Sequence, residues 1–263
     1  MAILSQIFSQ LTTSLYGSHM KKTAVFPAII LLFSNSLAPV YSQDTLVQLK
    51  QNYPAQTGAP VFIQIFKEER ILELYTKNSH GSYQLSKSYP ICNYSGGLGP
   101  KTTEGDLKSP EGFYRVKTHQ LNPNSRYYRS INLGFPNEYD KFRGYSGNYL
   151  MIHGECKSVG CYAMTNGYMD EIYDYVESAL LRGQYEINIS IYPFRMTPQN
   201  MLRHRSSSHY MFWLQLQPAY EYFVKNHQPA TISVINGQYA VNPTPDKSPL
   251  LQHQSQYAFT KMK

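Results

Sequence analysis

The segment Ile152-His153-Gly154-Glu155-Cys156-Lys157-Ser158-Val159-Gly160-Cys161-Tyr162 puts an imidazole and a thiol eight positions apart. A thiol attacks a carbonyl carbon as its thiolate, and a nearby imidazole can take the proton or stabilise the anion. Gly160 lets the chain turn sharply before Cys161, so that amide N–H groups can point toward the sulfur. The spacing therefore predicts acyl transfer through a thioester. Cys161 is the expected nucleophile and His153 the general base and later proton donor. Gly160 is the expected oxyanion amide. Ser158 and Tyr162 flank the thiol and are assigned to the substrate side of the site. The competing structural readings are a cysteine buried as a small apolar residue and a histidine satisfied by local hydrogen bonds. A zinc site built from His153, Cys156 and Cys161 is the rival use of the segment, but the spacing is irregular and no fourth ligand is near in sequence. His119, His204 and His209 are read as surface or packing residues. Neither a metal nor a cofactor is expected.

The segment resembles the signature of the L,D-transpeptidase catalytic domain family of the YkuD type, in its YafK-like branch, where the gap between histidine and cysteine is short. The resemblance extends to Ser109-Pro110-Glu111-Gly112-Phe113-Tyr114, Asn122-Pro123-Asn124-Ser125, Asn132-Leu133-Gly134-Phe135-Pro136-Asn137, Tyr192-Pro193-Phe194-Arg195-Met196-Thr197 and Phe212-Trp213. It covers most of residues 45–240. It implies a mixed-sheet fold and attack by Cys161 on the diaminopimelate carbonyl of a peptidoglycan stem tetrapeptide, with release of D-alanine. It also implies that a backbone carbonyl at Gly154 orients His153, and it leaves Arg126 free to bind a stem-peptide carboxylate. The chain departs from the family pattern at Val159, where many members carry histidine, and at Ala163, where many carry arginine.

Strands must position this segment. Tyr149 to His153 is an apolar run that would hold the histidine rigidly. Val61–Phe66 and Ile71–Tyr75 alternate in polarity around the polar turn Lys67-Glu68-Glu69-Arg70, which predicts a hairpin. Ser82–Ile91, Gly112–Thr118, Ser130–Leu133 and Ile187–Ile191 read as further strands. Met169, Ile172, Val176, Ala179 and Leu180 recur at helical spacing, with Gly183 as a stop signal. Thr197 can cap a helix from Pro198 to His204, and Phe212–Lys225 forms another with Pro218 inside or at its start. Asn236-Gly237 predicts a closing hairpin. Asp44–Asn52 reads as a short helix. The fold class is α+β and β-dominated: a mixed β-sheet catalytic core with C-terminal helices.

The ends and the composition bound the setting. Residues 1–42 hold no acidic residue, and Met20-Lys21-Lys22 before the apolar run Ala24–Phe33 has the layout of a secretory signal, with a cut after Ser42. No stable membrane span is expected after cleavage, and the periplasm is the expected location. The expected organisation is residues 1–42 as N-terminal extension and signal peptide, 43–195 as catalytic domain, 196–242 as helical extension and hairpin, and 243–263 as a mobile tail. The three cysteines are an odd count, so an exported chain keeps at least one thiol free unless two molecules pair. With Cys161 free, Cys92 and Cys156 can pair; three reduced cysteines are the alternative. The formal charge of +7 is spread along the chain, so no nucleic-acid arm is indicated. The 24 tyrosines suit strands and the walls of a groove for peptide or sugar.

The functional reading is an exported cysteine acyltransferase acting on peptidoglycan stem peptides, with a wall-attached lipoprotein as a further candidate partner. Two alternatives stand beside it. One is an amidase of the same fold that releases cross-links or wall-bound lipoprotein. The other is a non-catalytic cell-wall-binding module.

Overall fold

The computed structural model describes residues 58–242. Among them are eleven strands, four α-helices and one short 3-10 turn. In chain order these are β1 (Val61–Phe66), β2 (Ile71–Lys77), β3 (Tyr83–Pro90), β4 (Gly112–Val116), the 3-10 turn (Thr118–Gln120), β5 (Leu121–Ser125), β6 (Tyr128–Asn132), α1 (Glu138–Phe142), β7 (Met151–His153), β8 (Tyr162–Ala163), α2 (Asn166–Leu181), β9 (Ile187–Tyr192), α3 (Pro198–Arg203), α4 (Tyr210–Asn226), β10 (Ile232–Ile235) and β11 (Gln238–Val241). The expected signal peptide, the helix Asp44–Asn52 and the tail 243–263 lie outside the described residues.

A five-stranded sheet runs β3-β2-β1-β9-β4, parallel between β1 and β9 and antiparallel elsewhere. Every residue of β1 is buried, which requires cover on both faces. Val61, Ile63 and Ile65 alternate onto one side and pack with Met169, Ile172 and Val176 of α2. Phe62 turns the other way, its ring 4.9 Å from that of Phe223 on α4. Phe66 shares that second side with Tyr192, Phe194 and Trp213. The sheet thus sits between the two long helices, and the mixed α+β class is the result.

A second sheet, β5-β6-β7-β8, carries the histidine–cysteine segment. Its last pair, β7 and β8, is parallel, with Ile152 opposite Tyr162 and His153 opposite Ala163. Parallel neighbours ordinarily need a crossover of about a dozen residues or more. Here the connection is residues 154–161 alone. The tight path shows in the backbone: Glu155 and Cys156 hold φ of 68° and 54°, and Gly160 holds 88°. A disulfide between Cys92 and Cys156, Cα atoms 5.2 Å apart, ties this loop to the chain leaving β3. Next to it, Asn93 and Ala163 exchange backbone hydrogen bonds at 3.0 and 2.8 Å.

Four local features depart from the sequence reading. Lys67, expected in a polar turn, is fully buried, because the β1–β2 turn tucks under residues 95–111 and the ammonium meets Glu111 there at 3.0 Å. Strand β5 forms despite Pro123, which sits at a register shift between Asn122 and Ser125 where no ladder donor is needed. Helix α1 is only one turn and forms because Asn137 and Asp140 cap each other, side chain to backbone in both directions. Tyr149 and Leu150 stand outside β7, with Tyr149 at φ 52°. The longer helices follow their signals: Thr165 and Thr197 cap α2 and α3, accepting from Tyr168 and Asn200. Asn236 and Gly237, both at positive φ, turn the β10–β11 hairpin.

Candidate active site

The β7–β8 crossover sets His153 and Cys161 at the two ends of one short loop. Ile152 and Tyr162 face each other and are fully buried in the core. His153 follows Ile152 and Cys161 precedes Tyr162. By strand alternation His153 therefore projects to the opposite face of the sheet from that core pair, and Cys161 stands just ahead of β8. His153 is 2% exposed and Cys161 8% exposed, so both are nearly dry but reachable at the surface.

Each group has a defined first partner. His153 Nδ1 lies 2.6 Å from the carbonyl oxygen of Gly154. A carbonyl only accepts, so Nδ1 carries the hydrogen and Nε2 keeps its lone pair. Gly154 cannot be replaced without cost: a Cβ there would stand 2.6 Å from Asn166 Oδ1. Its N–H donates to Tyr127 O at 3.1 Å. The Cys161 thiol donates to Tyr149 O at 3.6 Å. No hydrogen bond joins Cys161 to His153 in this ligand-free geometry. Catalytic pairs often close such a gap only around substrate.

Burial sets the resting charges. It lowers the His153 pKa, opposed by the Gly154 carbonyl and by Glu155. It raises the Cys161 pKa, opposed by the Met151 backbone. Both shifts favour the neutral thiol and neutral imidazole over the ion pair.

The backbone at Cys161 is gripped from two sides. Its carbonyl accepts from Ser158 Oγ at 2.6 Å and from Ser109 Oγ at 3.0 Å. Ser109 also takes the Ser95 N–H at 3.2 Å, and Ser95 Oγ takes the Gly160 N–H at 2.7 Å. This corrects the expected oxyanion role of Gly160: its amide is already spent on Ser95. The Cys161 N–H has no hydrogen-bond partner among the described residues. Gly160 keeps its turn-forming role, since a Cβ at its φ of 88° would press on Leu150 at 3.0 Å.

The expected substrate residues separate. Tyr162 does not belong to that set: it is fully buried, and its hydroxyl donates to Pro110 O at 2.6 Å. Its place opposite Ile152 turns it into the core. Ser158 has its hydroxyl hydrogen committed to the turn. Arg126 is exposed on the β5–β6 turn, its guanidinium 6.0 Å from the Tyr127 ring centre, and remains available to an anion. Cys156 is in the disulfide and is not a thiolate ligand for zinc. Among the described residues no cluster of three or more His, Cys, Asp or Glu is arranged to hold a metal, and no helix is long and apolar enough to cross a membrane.

Sequence reasoning missed Tyr149, Tyr127 and Ser95. Tyr149 is 72% exposed and lines two depressions. The larger, of about 550 Å³, runs past Met151, Asn132, Asn122, His119 and Arg115. The smaller, of about 130 Å³, is bordered by Lys101, Leu107, Val159 and Gly160. The positive φ of Tyr149 was the one local trace of this role, and it is invisible in a residue type that seldom adopts it.

Comparison with known proteins gives a consistent family. A model described as the L,D-transpeptidase catalytic domain, YkuD, matches residues 60–180. YafK of Escherichia coli strain K12, described as a candidate L,D-transpeptidase, is 53% identical over 225 residues, covering 85% of this chain and 91% of that protein. Its counterpart in E. coli O157:H7 gives the same values. Among solved structures, the helical cell shape determining protein Pgp2 of Campylobacter jejuni is 18% identical, with a TM-score of 0.41 over 72% of this chain and 79% of that one. Bd1075 of Bdellovibrio bacteriovorus is 21% identical, with a TM-score of 0.36 over 52% of this chain and 48% of that one.

Proposed function

The chain belongs to the L,D-transpeptidase catalytic domain family, and on that premise we propose that it is an exported cysteine acyltransferase working on peptidoglycan stem peptides. The observation that carries the reading is the short β7–β8 crossover, which supports His153 and Cys161 as a pair by setting them at its two ends. Substrate binding displaces the thiol from Tyr149 O and brings it to Nε2 of His153. The proton passes from Sγ to Nε2, and the sulfur attacks the stem-peptide carbonyl. The Cys161 N–H stabilises the resulting oxyanion. The C–N bond to the terminal D-alanine then breaks, its amine takes the proton back from His153, and a thioester remains on Cys161. An incoming amine attacks that thioester and gives a proton to His153; the C–S bond breaks, the new amide leaves, and the freed sulfur takes the proton back from His153.

Two depressions that share Tyr149, whose carbonyl accepts from the Cys161 thiol, suit this two-stage chemistry, with the acyl donor in one and the acceptor in the other. The Cys92–Cys156 disulfide supports an oxidising compartment, in keeping with the secretory layout of residues 1–42 and a periplasmic location. Water in place of the amine would give hydrolysis, including release of a wall-bound lipoprotein. The test is incubation of the mature protein with purified muropeptides, with and without an added amine or a wall-bound lipoprotein. Product masses corresponding to exchange or cross-linking support the reading. Hydrolysed products alone would replace it with the amidase, and binding without turnover would replace it with the wall-binding module.

A further inference from the structure

Tyr127 lies on the turn between β5 and β6 and meets His153 by two routes. Its ring covers the imidazole, centroids 4.9 Å apart and planes tilted by 31°. Its carbonyl accepts the N–H of Gly154 at 3.1 Å, and the Gly154 carbonyl in turn holds His153 Nδ1 at 2.6 Å. One residue therefore touches the face of the ring and fixes the acceptor at its edge.

The turn that carries Tyr127 is itself anchored. The Tyr127 N–H donates to Ser125 Oγ at 3.2 Å. Tyr128, at φ 73°, sends its hydroxyl to the Asp170 carboxylate of α2 at 2.8 and 3.0 Å. Arg129 reaches Asp174 of the same helix at 2.8 Å. A half-buried ring on an anchored turn, stacked on the proposed base, is more than surface packing requires.

We infer that Tyr127 is a positioning residue for His153, fixing the imidazole plane so that Nε2 faces the arriving thiol proton. The assignment rests on the reading of His153 as proton acceptor for Cys161. The ring restricts imidazole rotation and keeps water from its face, and tilted ring pairs of this kind are favourable. The ionisable groups that face the imidazole are Glu155 on its own loop and Tyr127 on the turn. Asp170 of α2 is occupied by Tyr128. Removing the Tyr127 ring hydrates the imidazole and relieves the burial that lowers its pKa. The pH at which His153 becomes able to accept a proton then moves upward.

The experiment follows alkylation of Cys161 by iodoacetamide against pH in the oxidised full chain, where the other two cysteines are joined and this thiol alone reacts. Tyr127→Ala is expected to slow the neutral-pH rate by about tenfold and move the profile to higher pH, while Tyr127→Phe stays within about twofold of wild type. In a His153→Ala background, Tyr127→Ala should add nothing, because the residue acts through the imidazole. Tyr127→Leu, which keeps bulk without the aromatic face, replaces the alanine variant if that one does not fold. An unchanged profile, or an equal slowing with and without His153, would overturn the assignment. Alkylation needs no peptidoglycan. A protein that passes this test yet turns over no muropeptide therefore contradicts the proposed reaction and leaves the role of Tyr127 standing.

Discussion

The indole N–H of Trp213 donates to Oε2 of Glu111 at 2.8 Å, joining α4 to the loop ahead of β4. The other oxygen of this carboxylate takes the Gly99 N–H at 2.6 Å and lies 3.0 Å from Lys67 Nζ, with both charged side chains fully buried. Lys67 also donates to the carbonyls of Gly99 and Ser109 at 3.0 and 2.9 Å. Ser109 then holds Cys161 by its carbonyl. The backbone of Cys161 is thus braced by a buried ion pair that ends on a helix beyond the first sheet. Removing one partner strands the other charge away from water. Glu111→Ala is expected to destabilise the fold by about 3–5 kcal/mol, and the double change Lys67→Met with Glu111→Leu by less. Urea unfolding of the three proteins measures this. A double variant at least as unstable as Glu111→Ala would mean that the stranded Lys67 charge is not the source of the loss.

Cys161→Ser is expected to abolish muropeptide turnover with the circular dichroism spectrum unchanged, because a hydroxyl is a far weaker nucleophile here. His153→Ala is expected to reduce turnover by about a hundredfold or more. Wild-type rates in either variant would remove that residue from the mechanism.

Loss of the Cys92–Cys156 bridge should act on stability and rate together. The bridge constrains the unfolded chain, and its loss typically costs about 2–4 kcal/mol. It also holds a loop in which Glu155 and Cys156 both sit at positive φ. The double variant Cys92→Ser with Cys156→Ser should melt earlier and turn over more slowly than wild type at the same temperature. An unchanged melting midpoint would show that the bridge constrains nothing that the rest of the fold does not.

Asp140 gives a pH dependence of definite sign. Burial raises its pKa from the usual 3.8 to about 6, against hydrogen bonds from Asn137 and Tyr114. A carboxyl with a higher pKa folded than unfolded binds its proton more readily when folded. The stabilisation is complete below about pH 3.8 and is lost as the pH rises through about 6. The loss is roughly 2–3 kcal/mol for a shift of this size. Asp140→Asn can keep an oxygen toward both donors and should flatten this part of the curve. Thermal midpoints of both proteins from pH 4 to pH 7 test it; parallel curves would rule Asp140 out as the titrating group.

What the sequence disclosed follows the range of the forces involved. The proposed nucleophile and base lie at the two ends of one short loop, so the sequence could offer them as a pair from residue types alone. Strands β1, β2 and β9 and helices α2 and α4 declare themselves because their apolar periodicity is strong over six residues or more. The carboxylate of Glu111 could not be read this way. Its partners, Lys67, Gly99 and Trp213, come from three distant stretches, and nothing local marks a charge in the turn after β1 as buried. The Cys92–Cys156 pairing was one option among several for the same reason. The Gly160 amide was misassigned because its acceptor, Ser95, sits 65 positions away. Tyr162 was misassigned because its facing depends on strand pairing, which a motif does not contain.

The short parallel crossover from His153 to Tyr162 makes loop length a matter of parity. Both strands alternate their facing at every residue. One residue inserted between Gly154 and Gly160 would leave β7 as it is and slide β8 by one step, sending a new side chain to the reactive face and turning Cys161 toward the core. Two inserted residues would restore the facing while lengthening the tether. In natural variation around this architecture, changes of even length in that loop should therefore be tolerated before odd ones. A library of one- and two-residue insertions, scored by Cys161 alkylation, would reveal an odd–even rhythm that no single substitution can produce.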